Sequence, residues 1–118
     1  MALRILLVDD NSEFRRHARR LLELDGLEIV GEATDAASAL KSARRLRPDV
    51  VLLDVGLPDT SGLQIVDQLC PPGSPGPAIV LISTHTAHDL GPLLQRSNAR
   101  GFIAKHELAG SRIEALAG

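Results

Sequence analysis

Tryptophan and tyrosine are absent from these 118 residues, and the aromatic class is reduced to Phe14 and Phe102. A base-stacking platform or an aromatic cage for a cationic ligand needs several rings, so neither is expected. Cysteine is reduced to Cys70, which excludes an intramolecular disulfide and suits a reducing cytosol. No apolar run approaches the ~18 residues of a membrane span. The opening apolar run meets Asp9 and Asp10 too soon to be the core of a signal peptide. A soluble, cytoplasmic protein without membrane contact is therefore expected. Charge of one sign is not in excess either: the net charge of −2 argues against nucleic-acid contact by this segment. Repeats, charge runs and linker-like stretches are also missing, so residues 1–118 read as one domain with no second one in this chain.

What is present is an alternation. Leu3 to Val8, Val50 to Leu53, Ala78 to Ile82 and Gly101 to Ala104 are short apolar runs without strict period-two patterning, as a parallel sheet covered on both faces demands. Leu27 to Ala33 alternates in part and suits an edge strand. Between these runs, apolar residues recur at helical spacing. Phe14, Ala18, Leu21 and Leu22 make one face; Leu40, Ala43 and Leu46 make a second behind an Asp35 N-cap; Leu63, Val66 and Leu69 make a third behind a Ser61 cap. A short last helix would bury Ile113 and Leu116. Five β-α units imply right-handed crossovers and a doubly wound, three-layer α/β sandwich. The expected five-stranded parallel sheet has order 2-1-3-4-5, the flavodoxin-like arrangement, although the pattern alone does not separate that order from its relatives.

Two stretches interrupt the pattern. Cys70 to Pro77 holds four prolines and two glycines and predicts a stiff, irregular connection. Gly91-Pro92 falls where the fourth helix is due, and an interior proline breaks a helix. The fourth helix is expected to be shortened or irregular, starting near Pro92 after an extended loop from Thr84 to Gly91.

In an open α/β sheet, ligands bind outside the carboxyl ends of the strands near the switch point of strand order. The residues due there are Asp9 and Asp10 after the first strand, Asp54 after the third, Ser83 after the fourth and Lys105 after the fifth. Three carboxylates in one crevice repel and raise one another's pKa unless a cation is supplied. Mg²⁺ suits the set, because few carboxylates are offered and water can complete an octahedron. A carboxylate beside a hard cation and a lysine is also a phosphoryl-acceptor arrangement, with Asp54 as nucleophile and Lys105 and Ser83 facing phosphoryl oxygens. Eleven arginines accompany only two lysines, so a lysine at this place asks for a point charge on a flexible stem.

Along nearly its whole length the sequence resembles the receiver family of two-component signalling. The resemblance is carried by Ile-Leu-Leu-Val-Asp-Asp-Asn at 5–11, Pro-Asp-Val-Val-Leu-Leu-Asp-Val-Gly-Leu-Pro-Asp-Thr-Ser-Gly at 48–62, Val-Leu-Ile-Ser at 80–83 and Gly-Phe-Ile-Ala-Lys at 101–105, with Pro58 and Gly62 where the family has them. It implies that Asp54 is the phosphoacceptor and that Asp10 binds Mg²⁺ directly. Asp9 would bind it mainly through water, with the Gly56 carbonyl as a further ligand. Ser83 and Phe102 would form the switch that repacks the face made by the fourth helix, fifth strand and last helix. The implied partners are a sensor histidine kinase or phosphotransfer domain, docking on the arginine-rich first helix (Arg15, Arg16, Arg19, Arg20). A second copy through the switch face, and a DNA-binding effector domain in a longer protein, are also implied. Such a domain is a regulatory phosphoacceptor rather than an enzyme. The alternatives are a degenerate receiver acting by protein contacts alone and, behind it, a small phosphohydrolase. Three positions depart from the family pattern: His106 replaces a common proline and removes the reason for a cis peptide, Thr84 is bulkier than the usual residue, and Gly91-Pro92 falls within the signalling face.

Overall fold

The computed structural model describes residues 2–59, 62–71, 73, 75–84 and 98–117. In chain order these form β1 (Arg4–Val8), α1 (Ser12–Leu24), β2 (Glu28–Ala33), α2 (Ala36–Leu46), β3 (Val50–Asp54), α3 (Gly62–Leu69), β4 (Ala78–Ser83) and β5 (Gly101–Ala104). A 3₁₀ turn (Lys105–Glu107) and a C-terminal helix (Gly110–Ala117) follow. The sheet is parallel throughout, in the order β2-β1-β3-β4-β5. The expected order is the observed one, and β2 lies at an edge as its partial alternation suggested.

Successive side chains of a strand point to opposite faces, so each central strand feeds two cores. Ile5, Leu7, Val50, Leu52, Val80, Ile82 and Ile103 pack on one side, against Ala18 and Leu22 of α1 and Ile113 of the C-terminal helix. Leu6, Val8, Val51, Leu53, Ile79 and Leu81 pack on the other, against Ala36 and Ala39 of α2 and Ile65, Val66 and Leu69 of α3. With helices on both sides the strands need no polar face, and β3 and β4 are buried along their whole lengths.

Helices α1 and α2 start where side chains satisfy their first N–H groups. Asn11 Oδ1 accepts from the N–H groups of Glu13 and Phe14 at 3.0 and 3.1 Å, opening α1. Asp35 caps α2 as expected, in a reciprocal box with Ser38, and these hydrogen bonds hold its carboxyl below the ordinary aspartate range. Asp59, from the segment after β3, also accepts from Ala36 and Ala37 N–H at 2.9 and 3.3 Å. Gly26, at φ 89°, makes the turn from α1 into β2, a conformation that favours glycine.

The structure adds to the sequence reading at α2, whose expected face packs against the core, and departs from it at α1. On α2 the fully buried residues are Ala36 and Ala39, while Leu40, Ala43 and Leu46 flank them half-buried. Small residues let the helix lie close to the sheet. On α1, Arg16 and Arg20 are exposed, but Arg15 and Arg19 turn to β2 and pair with Glu32 at 3.0 and 2.6 Å. The i, i+4 spacing places those two on the side of the edge strand rather than on the outer face. The described residues between α3 and β4 form neither helix nor strand, in line with their proline content. The Ser61 cap, the loop from 85 to 91 and the helix expected near Pro92 lie outside the described residues. Among the described residues, no helix is long and apolar enough to cross a membrane.

Candidate functional site

Parallel register brings the ends of four strands side by side. Val8 pairs with Leu53, Asp54 with Ile82, and Ser83 with Ala104, so the residues at or just beyond these ends share one edge of the sheet. Asp9 follows β1 and is wholly buried; its N–H extends the ladder to the Ala33 carbonyl at 3.0 Å. Asp54 ends β3 and Ser83 ends β4, both buried, while Asp10 is exposed. Lys105 follows β5 at the head of the 3₁₀ turn, and the backbone there is trans.

One carboxylate oxygen each from Asp9, Asp10 and Asp54 lie within 4.8 Å of one another. Lys105 Nζ stands 2.6 Å from Asp9 Oδ2 and 3.6 Å from Asp54 Oδ2. Backbone N–H groups take the other oxygens: Asn11 donates to Asp9 Oδ1 at 2.9 Å and Gly56 to Asp54 Oδ1 at 3.2 Å. The short Lys105–Asp9 contact is an ion pair without the alignment of a hydrogen bond. Asp9 Oδ2, fully buried, is thus left with no hydrogen-bond partner among the described residues. Burial pushes the Asp54 carboxyl above the ordinary aspartate range and the charge of Asp9 pushes it further, while the Gly56 N–H and Lys105 oppose the rise.

This imbalance tests the fit of a metal. Three carboxyl groups face a single ammonium in a partly dry pocket, so acidic groups outnumber the cation at hand. The donors are all hard oxygens, and one buried oxygen lacks a hydrogen bond. Such a set fits a small divalent cation of the Mg²⁺ type, which takes a few carboxylates and keeps its remaining places for water.

The remaining expected residues are placed as follows. Gly56 adjoins Asp54 through its N–H. Phe102 is half-buried and packs against the α2–α3 core, next to Leu81 in register. Thr84 and His106 are exposed, and Gly62 is the first residue of α3. Three residues lie near the acids that the sequence does not mark as part of the cluster. Asn11 links the α1 cap to Asp9. Arg15 donates to the Asp9 carbonyl at 2.7 Å as well as to Glu32. Phe14 lies with its ring centroid 4.5 Å from Lys105 Nζ. Periodicity assigns Phe14 to the core face and Arg15 to solvent; only their common place in the first turn after Asp9-Asp10 signals proximity to the acids. An open groove of about 370 Å³ lies instead on α1, lined by Glu13, Arg16, His17, Arg20, Leu21 and Leu24, so unbalanced charge rather than concavity marks the site.

Known proteins resemble this chain in both sequence and fold. The response regulator receiver domain family matches residues 5–116. The nitrate/nitrite response regulator protein NarP of Escherichia coli is 37% identical over 113 residues, covering 95% of this chain and 52% of NarP. The signal receiver domain of a response regulator from Mycobacterium tuberculosis superposes with a TM-score of 0.83 at 32% identity, over 99% of this chain and 98% of that one. A LuxR-family two-component response regulator from Aurantimonas sp. SI85-9A1 gives 0.87 at 29% identity, over 99% of this chain and 86% of that one. The chain spans about half the length of the curated relatives it matches. With a matching family over almost every residue, a strand order of 2-1-3-4-5 and an acid cluster at the strand ends, this chain belongs to the response regulator receiver domain family.

Proposed function

We propose that residues 1–118 are one phosphoacceptor domain in which Asp54 takes a phosphoryl group from a histidine kinase or phosphotransfer protein. The reading is carried by the cluster itself: three carboxylates within 4.8 Å, with Lys105 Nζ in reach of two of them. In the transfer, a carboxylate oxygen of Asp54 attacks phosphorus, the O–P bond forms and the donor's N–P bond breaks, leaving the pair on imidazole. Asp10, Asp9, Asp54 and the Gly56 carbonyl are the residues that would hold Mg²⁺. Bound there, the cation would offset the carboxylate charges and those of the incoming phosphoryl oxygens. Because burial and Asp9 hold the Asp54 carboxyl up, a bound cation also favours its nucleophilic, ionised form. Lys105 provides an ammonium for one phosphoryl oxygen and the Ser83 hydroxyl a hydrogen bond for another.

The consequence is regulation rather than turnover. Ser83 follows the phosphoryl group, and Phe102, half-buried on β5 two residues below the Ser83 level and packed on the α2–α3 side of the sheet, repacks the surface around β5. That surface serves a second copy or an output domain. The exposed Arg16 and Arg20 on α1 serve the phosphodonor. Relatives about twice as long whose names make them transcriptional regulators support a DNA-binding effector in a longer protein and a cytoplasmic location. Incubation with acetyl phosphate and Mg²⁺ should add about 80 Da, and Asp54→Asn should abolish the gain. An unmodified wild-type protein would instead support a receiver that works by contacts alone.

A further inference from the structure

We infer that Phe14 is a positioning residue for Lys105, holding its ammonium at the acid cluster by the face of its ring; the inference rests on the phosphoacceptor reading above. A lysine is a flexible four-carbon stem, and the one at position 105 hangs from a 3₁₀ turn with no cap of its own. Three contacts fix its end: Asp9 Oδ2 at 2.6 Å, Asp54 Oδ2 at 3.6 Å and the Phe14 ring, with its centroid at 4.5 Å, the one uncharged partner of the three. The ring is itself held. Phe14 packs against the core between the sheet, α1 and the C-terminal helix. Its N–H donates to Asn11 Oδ1 at 3.1 Å, and the Asn11 N–H donates to Asp9 Oδ1 at 2.9 Å. The contacts close on themselves: Asp9 to Asn11, Asn11 to Phe14, Phe14 to Lys105, and Lys105 back to Asp9.

The choice of an aromatic has a chemical consequence. A ring face attracts an ammonium through its quadrupole and adds no negative charge. A fourth carboxylate in that place would hold the lysine harder, but would repel an incoming phosphoryl group and compete with it for the ammonium. Phe14 keeps Lys105 in place and leaves its charge available. Leucine would fill similar space without this attraction. In a chain with only two aromatic side chains, one is placed against the lysine of the site.

The test uses the whole chain and its small lysine count. Only Lys41 and Lys105 are present, so one variant, Lys41→Arg, assigns the lysine Cε resonances. Ring current should shift the Lys105 Cε–H signals upfield of those of Lys41. Phe14→Leu should remove the shift and slow phosphorylation of Asp54 by acetyl phosphate and Mg²⁺ roughly threefold to thirtyfold, the span from an exposed to a desolvated cation–π contact, while Phe14→Tyr keeps both. Unchanged signals and rate in Phe14→Leu overturn the inference, as does equal slowing in the Leu and Tyr variants. Should the Leu variant unfold, the wild-type spectrum decides, since coincident Lys105 and Lys41 signals overturn it. A wild-type chain that gains no mass overturns the phosphoacceptor reading, and the resonances then still decide whether Phe14 holds the ammonium.

Discussion

At the N-terminal ends of its strands the sheet carries Arg4 and Asp49; at the C-terminal ends it carries Asp9, Asp10, Asp54 and Lys105. Both ends gather opposite charges, yet they are finished differently. The Arg4 guanidinium donates to the carbonyls of Arg47 and Leu46 at 2.8 and 2.9 Å, closing the end of α2. Asp49 Oδ2 accepts the Arg4 N–H at 2.8 Å, and the Asp49 backbone joins β1 to β4. Charge there is matched by backbone partners and remains in contact with water. At the other end like charges crowd around one ammonium, and a buried Asp9 oxygen lacks a hydrogen bond. A charged cluster that is satisfied serves the fold; one held unbalanced by the fold is available for ligands.

The largest effect separating the two ends should come from Lys105→Met. Removing one partner of a buried pair leaves an uncompensated charge, and with Lys105 only 15% exposed the cost is about 3 kcal/mol, the low end of the range. Urea unfolding in EDTA measures it, and Mg²⁺ should restore much of the loss by acting as counter-ion to Asp9 and Asp54. Arg4→Met, at the matched end, should cost about 1 kcal/mol, because the freed carbonyls can bond to water. That loss should be the same with and without Mg²⁺. Equal losses at the two ends, both insensitive to Mg²⁺, would erase the contrast.

The strands were legible because a sheet covered on both sides writes itself as apolar runs. Gly101–Ala104 matches its run end for end, and the other strands shift by a residue at their ends. Asp54 and Ser83, each just beyond its apolar run, are the last residues of β3 and β4. The acid cluster followed from the strand order, since parallel register needs no side-chain detail to place strand ends together. What stayed hidden depends on side-chain direction around a helix. The turn of α1 that sends Arg15 to Glu32 and Phe14 to Lys105 is set by the Asn11 cap, and a period of 3.6 gives a face but not its neighbours. Likewise Ala36 and Ala39 carry a weaker apolar signal than Leu40 and Leu46, yet their small size puts them deepest.

The smallest effect is the sharpest test of imbalance, and it lies in the pH dependence of Asp54→Asn. Burial, together with the charge of Asp9, raises the Asp54 carboxyl above the ordinary aspartate value of 3.8. The folded protein therefore binds this proton more tightly than the unfolded chain does. The stabilisation from that difference is complete below pH 3.8 and is lost as pH rises through the folded value. Asparagine does not titrate and has no such loss. In EDTA at neutral pH the variant should then melt above the wild type, and the gap should close as the pH is lowered toward 3.8. Mg²⁺ should close it from the other direction, by favouring an ionised carboxylate that asparagine cannot offer. A variant that melts below the wild type in EDTA at neutral pH would mean that Lys105 and the Gly56 N–H already balance Asp54. The acid end of the sheet would then be as closed as the Arg4 end, and the charge left over for a cation would be gone.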